Sequence, residues 1–307
     1  MHKQKKIKIL IFGGTGFIGY HLKKRCIKKG WQVTSVSKNY PKKNKFLRKV
    51  KYKIFNLQNF KNFKTLDKNY DYIVNASGYI NNNNSLNYND QNFKIVKNIF
   101  SYFKNSKIKA FLNIGSSAEY GGVNSIQNEK LRCIPRSKYG RDKLNCTIFL
   151  LNAFIKFNFP AIIFRVYQVY GPFQETNRLI PIAAKACFFD KIFDCSDGNL
   201  IRDFIYIDDL LDAIFKALKE DKSKGQIFNL GSGKKISLKF VINSIKKFYK
   251  KGYPIFGKIK LRKDESKIIV ADIKKSKKIF KWKPKITFKL GLLKTLKYYK
   301  NEYENNF

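Results

Sequence analysis

The feature that most constrains this chain is a glycine run set between a strand-like segment and a helix-like one. Ile7–Phe12 reads as a buried strand, Gly13-Gly14-Thr15-Gly16-Phe17-Ile18-Gly19 follows, and the segment from Phe17 to Lys29 reads as a helix ending near Gly30. Glycines at such a junction permit a tight turn, let the backbone approach a pyrophosphate, and let the helix press closely on the strand. The pyrophosphate then lies on the positive N-terminus of the helix. Both G-x-G-x-x-G (Gly14, Gly16, Gly19) and G-x-x-G-x-x-G (Gly13, Gly16, Gly19) spacings are present. The strand before and the helix after give the motif the context its mechanism requires. Gly13, Gly14, Thr15, Gly16, Phe17, Ile18 and Gly19 are the candidate dinucleotide ligands.

The same alternation continues. Gln32–Ser37, Tyr52–Phe55, Tyr72–Asn75, Ala110–Ile114 and Ala161–Arg165 read as further strands. Between them, Phe93, Val96, Phe100 and Phe103 keep helical spacing, as do Leu144, Ile148, Leu151 and Ile155. The pattern predicts an α/β fold with a doubly wound parallel sheet of the Rossmann kind over residues 1–172. Beyond Gly171-Pro172 the elements shorten, with a strand at Phe204–Ile207 entering a helix over Asp208–Lys219, and another at Ile227–Leu230 before a helix opened by Ser237. Residues 173–307 are expected to form a smaller, partly interleaved α/β substrate domain, with the region around 204–230 returning to the first sheet.

Other classes are disfavoured by composition. Five dispersed cysteines without a C-x-x-C pair read as reduced core thiols, and two histidines leave no metal cluster or Ser/His/Asp triad. The chain is strongly basic, 64 Lys and Arg against 21 Asp and Glu, a balance that attracts polyanions. The lysines run from Lys3 to Lys300, however, and read as a bias of the whole chain, so nucleic acid is not the expected partner. No segment reaches the roughly 18 uninterrupted apolar residues that span a bilayer, and the expectation is a cytoplasmic protein, at most touching a membrane surface.

Two further stretches carry chemistry. Ser116-Ser117-Ala118-Glu119-Tyr120-Gly121 follows a strand, and Tyr139-Gly140-Arg141-Asp142-Lys143 opens a helix. Tyrosine and lysine four apart share a helical face. A free phenol keeps its proton at neutral pH, and an adjacent ammonium stabilises the phenolate that can act as a base. A serine hydroxyl hydrogen-bonds a substrate oxygen as it changes between alcohol and carbonyl. Tyr20/Lys24 has the same spacing but lies in the glycine-loop helix. At the end of the second strand, where NAD sites place Asp or Glu on the ribose 2′-hydroxyl, stand Ser37 and Lys38. That pair tolerates a 2′-phosphate, so the cofactor is NAD or NADP, with the balance towards NADP(H).

These motifs together resemble the NAD-dependent epimerase/dehydratase family, extended short-chain dehydrogenases/reductases that include UDP-glucose 4-epimerase and nucleotide-sugar 4-ketoreductases. The resemblance runs through Asn75–Gly78, Arg165 with Tyr170-Gly171-Pro172, Arg202–Asp209, Asn229–Gly233, Ala271-Asp272 and Trp282-Lys283-Pro284. It implies Tyr139 as acid/base, Lys143 as ribose ligand and activator, and Ser116 as the catalytic serine, with Ser117 beside it. It implies cofactor contacts at Asn56, Leu57, Ala76, Ser77 and Gly78, and substrate contacts at Gln168, Arg202 and Arg262. The arginines suit a nucleotide diphosphate, because a guanidinium takes phosphate oxygens bidentately. No metal is implied.

Three departures stand out. Ser117 and Ala118 replace the Asp-Glu pair of the dehydratases, Asn56 replaces an adenine-facing Asp, and Gln168 replaces an Asn. Asp208 and Asp209 open a helix and are expected to cap it. The resemblance implies a homodimer through the helices beginning near Phe93 and Lys143. The expected activity is nucleotide-sugar epimerisation at C4, with 4-keto-sugar reduction as the alternative within the family. A non-catalytic, dinucleotide-sensing protein that binds nucleic acid is the alternative of another class.

Overall fold

Side-chain alternation along the first strand sets the architecture. In β1 (Lys8–Phe12), Ile9 and Ile11 enter one apolar cluster while Leu10 and Phe12 enter another. A strand buried on both faces needs helices on both sides of its sheet, the arrangement of parallel α/β folds. The computed structural model describes residues 6–78, 90–261 and 265–305. In it α1 (Phe17–Lys28) leads to β2 (Gln32–Ser37), β3 (Val50–Ile54) and β4 (Tyr72–Asn75). Then come α2 (Gln91–Phe103), β5 (Ala110–Ser116), β6 (Ser125–Gln127), α3 (Lys138–Phe157) and β7 (Ala161–Val166). The polar stretch Asn81–Asn84 and Arg262 lie outside the described residues.

The main sheet has seven strands, in the order Gln226–Leu230, β7, β5, β4, β1, β2, β3. Every pairing in it is parallel. Helix α1 covers one face with Leu22 and Cys26, both without solvent exposure, joined by Leu210 and Ile214 of the helix Ile207–Lys219. Ile95 and Ile99 of α2, with Cys146 and Leu150 of α3, cover the other. Fully burying one such leucine stabilises by about 1.5–3 kcal/mol.

The second lobe exchanges strands with the first. β6 joins Ile268–Ala271, Ile201–Arg202 and Ile236–Ser237 in a four-stranded sheet, while Gln226–Leu230 crosses back to edge the main sheet. Phe204–Tyr206 stays out of the main sheet and pairs with Gln168–Tyr170. The spacing along α3 carries a correction. Of the stripe Leu144, Ile148, Leu151, Ile155, Ile148 is 49% and Ile155 77% exposed, and the inward face is Lys143, Cys146, Thr147, Leu150 and Ala153. The helix has apolar residues on two sides, and the inward side includes the polar Lys143 and Thr147, which bond the Ile114 carbonyl and Glu119. Among the described residues no helix is long and apolar enough to cross a membrane.

Candidate active site

The glycine loop is shaped by what it cannot contain. Gly13 has φ +73°, and a Cβ there would come within 2.5 Å of the Ser77 backbone nitrogen. At Gly19 a Cβ would come within 2.3 Å of the Gly13 carbonyl, so α1 sits on the loop itself. Gly16 caps α1 without a side chain, and the first turn contains no acid. The Phe17 N–H donates to the Glu175 carboxylate at 3.3 Å, placing an anionic oxygen at the positive end of the helix. A cradle closed to side chains, with an N-terminus that takes an anion, fits the pyrophosphate of a dinucleotide. Ser37 is buried; its hydroxyl accepts from the Thr15 N–H at 3.2 Å and donates to the Val36 carbonyl at 2.8 Å. Lys38 is exposed and Ile18 half-buried. Asn56 is exposed, its side-chain oxygen accepting from Gln58 N–H, and Leu57 is buried with its carbonyl bonded by Asn98. Ala76, Ser77 and Gly78 follow β4 directly, level with the loop.

The elements that carry Ser116, Tyr139 and Lys143 meet at the end of β5. Ser137 caps α3 by accepting from the Gly140 N–H at 3.0 Å, so Tyr139 lies in the first turn. A Cβ on Gly140 would approach the Ala118 carbonyl to 2.5 Å, and this close contact brings the tyrosine's turn against the turn Ser117–Glu119 that follows Ser116. Lys143 is 3% exposed; its ammonium donates to the Ile114 carbonyl at 2.9 Å and lies 5.9 Å from the centroid of the Tyr139 ring. A Cβ on Gly78 would be 3.5 Å from that ammonium, so Lys143 spans from the tyrosine to the cofactor side. Asp142, also buried, accepts from the N–H groups of Asn92 and Phe93 and fastens α2 to α3.

A buried network behind the serine escapes the motif reading. Ser116 Oγ accepts from Ala118 N–H at 3.2 Å, and Glu119 Oε1 accepts from Ser116 N–H at 3.0 Å, a reciprocal cap. Glu119 has no solvent exposure, and its Oε2 accepts from Thr147 Oγ1 at 2.8 Å and from Arg165 Nε at 2.9 Å. Burial opposes the charge of Arg165, but Glu119 more than offsets it and the guanidinium is held above its ordinary value. Tyr120, stacked on that guanidinium, donates to Asn229 at 2.8 Å; burial pushes its phenol up to about 12. The spacing Ser-x-x-Glu is the sequence signal that marks the cap.

On the substrate side, Ser117 is half-buried in its turn and Gln168 is exposed. Arg202 is 6% exposed, donating to the carbonyls of Ile201 and Ser266 at 2.9 Å each and to Glu265 at 2.5 Å. Burial lowers its affinity for the proton, and Glu265 works the other way. Asp208 and Asp209 occupy the first turn of their helix, whose cap position is Tyr206. Asp208 pairs with Arg25 at 2.8 Å, and Asp209 accepts from the N–H groups of Lys285 and Ile286. Neither side chain caps the helix as the sequence suggested; both carboxylates instead tie it to other elements of the fold.

Comparison with known proteins gives one direction. The chain is 26% identical to a UDP-glucuronate 4-epimerase of Thermodesulfobacterium geofontis, over 96% of this chain and 97% of that protein. It is 27% identical to the CDP-abequose synthase of Salmonella muenchen, over 84% and 86%. The structure of UDP-glucuronic acid 4-epimerase from Bacillus cereus, in complex with UDP-glucuronic acid and NAD, superposes with a TM-score of 0.85 at 25% identity, covering 97% of this chain and 100% of that one. The family profile described as NAD dependent epimerase/dehydratase matches residues 9–231, and the chain belongs to that family.

Proposed function

We propose that this protein epimerises a nucleotide sugar at C4, using a bound nicotinamide dinucleotide that it regenerates in each turnover. The observation that supports the reading is that Lys143, 5.9 Å from the Tyr139 ring, bonds the end of β5 near Ser116 and comes close to Gly78 beside the Gly13–Gly19 cradle. When bound, the nicotinamide supplies a hydride acceptor and donor. The chain supplies the rest. Tyr139 takes the proton of the sugar hydroxyl as it becomes a carbonyl and returns it on reduction. Lys143 stabilises the phenolate and holds the ribose. Ser116 donates to the substrate oxygen while its own oxygen accepts from Ala118 N–H. Ser117 and Ala118 offer no carboxyl group for dehydration, although relatives include dTDP-D-glucose 4,6-dehydratases. Arg202 takes the diphosphate after leaving Glu265, with Arg262 and Gln168 assigned to the same substrate. Asn56, Leu57 and Ala76–Gly78 border the dinucleotide. A homodimer through α2 and α3 would cover the exposed Ile148, Ile155 and Phe157.

A second reading, NADPH-dependent reduction of a 4-keto sugar, is favoured by one observation. The end of β2 presents Ser37 and Lys38 with no carboxylate to repel a 2′-phosphate. One experiment separates the two. The dinucleotide released on denaturing freshly purified protein is identified, and UDP-, GDP-, CDP- and dTDP-sugars are then tested with and without NADPH. Retained NAD with turnover and no reductant consumed supports the epimerase. Stoichiometric NADPH oxidation on a keto sugar supports the reductase, and no turnover on any nucleotide sugar contradicts both.

A further inference from the structure

We infer that Glu119 is a positioning residue for the chemistry, acting through Ser116; the inference rests on the proposed role of that serine. Glu119 is a carboxylate with no solvent exposure that, among the described residues, hydrogen-bonds neither the glycine cradle nor the Tyr139 side chain. Its bonds join the three elements that frame the site. One oxygen holds the Ser116 N–H at the end of β5, and the other holds Thr147 of α3 and Arg165 of β7. Thr147 is one helical turn beyond Lys143, so the carboxylate ties the serine to the helix that carries Tyr139 and Lys143.

The tie also holds the serine's hydroxyl. Ser116 Oγ accepts from Ala118 N–H within the reciprocal cap, which fixes the oxygen and leaves its hydroxyl hydrogen available to donate to a substrate oxygen. The close contacts around the carboxylate allow little other arrangement: a Cβ on Gly115 would stand 2.5 Å from Glu119 Oε1. A serine free to rotate would still be present, but its hydroxyl would not be held in place. Small misplacements of this kind lower the rate far more than they alter binding.

The test is a double-mutant cycle on the holoenzyme with the nucleotide sugar that it turns over. Glu119→Val is expected to lower kcat by about 10- to 100-fold, with KM and cofactor affinity within about twofold. In a Ser116→Ala background the same substitution is expected to cost no more than about twofold, because the residue it positions is gone. Equal losses in the two backgrounds would overturn the inference and leave Glu119 a general support of the fold. Unchanged kcat in Ser116→Ala alone would instead remove the serine from the chemistry, and the inference with it. Should the unpaired Arg165 prevent Glu119→Val from folding, Thr147→Val breaks the tie to α3 without stranding a charge. Its expected loss of about three- to tenfold in kcat must likewise vanish in the Ser116→Ala background; persistence there overturns the inference.

Discussion

The elements that carry Ser116, Tyr139 and Lys143 are fixed by close backbone approaches and by the buried Glu119 carboxylate, whereas Arg202 is engaged by polar partners that the proposed diphosphate would have to replace. On the first side, Gly140 lies against the Ala118 carbonyl, the Lys143 ammonium donates to the Ile114 carbonyl, and Gly13 lies against Ser77. On the second, the Arg202 guanidinium is engaged by Glu265 and by the carbonyls of Ile201 and Ser266. The difference teaches where each free-energy contribution falls. A preformed arrangement contributes to the transition state, while an exchange of ion-pair partners contributes to substrate affinity and selectivity.

The comparison can be broken first at Lys143. Lys143→Met is expected to lower kcat/KM by about 1,000-fold and to weaken cofactor binding, since one ammonium serves both; titration of NAD and NADP alongside kinetics checks this. A pure KM effect would place the lysine with the exchangeable group. Next comes Gly140→Ala, whose single methyl must displace the Ala118 carbonyl or the helix. A loss of about 100-fold in kcat is expected, with the nucleotide-sugar KM little changed. On the other lobe, Arg202→Ala should raise KM about tenfold while kcat stays within about twofold. Glu265→Gln should lower KM severalfold, because the guanidinium no longer has to leave a carboxylate; a raised KM would show that Glu265 itself binds substrate.

The smallest effect lies beneath the glycine loop. Lys23 has no solvent exposure, bonds the Tyr52 hydroxyl at 3.2 Å, and is pushed down to about 8 by burial and by Lys45. Its ammonium holds a proton less tightly folded than unfolded, so unfolding takes up a proton between pH 8 and the ordinary lysine range. Stability from this group rises with pH across that window and is lowest below it. Lys23→Met should therefore raise Tm at pH 7 by more than at pH 10, measured by calorimetry. A pH-independent difference would show that the charge is not strained.

How much of this is readable from sequence follows from how local each constraint is. The glycine loop is legible because local geometry calls for glycine there: Gly13 takes φ +73°, and Gly19 lies against the Gly13 carbonyl six residues back. Tyr139 and Lys143 are legible because four residues make one helical turn. Glu119 is marked by its cap spacing, yet its weight comes from Thr147 and Arg165, 28 and 46 residues away, which no spacing rule connects. Glu265, 63 residues from Arg202, is hidden for the same reason. The three-residue strand β6 is too short for periodicity to show, and its place in the second lobe emerges only from pairing with Ile268–Ala271. On α3 the more regular apolar stripe is the outer one, because the inner face must carry polar groups that serve the site.

The central claim is that the Tyr139 hydroxyl moves a proton while hydride passes to and from the cofactor. Stopped-flow absorbance of the nicotinamide in Tyr139→Phe, loaded with cofactor and mixed with a turned-over nucleotide sugar, tests it most directly. The account predicts wild-type cofactor affinity and reduction of the nicotinamide slowed by at least about 100-fold. Reduction at the wild-type rate and amplitude would contradict it.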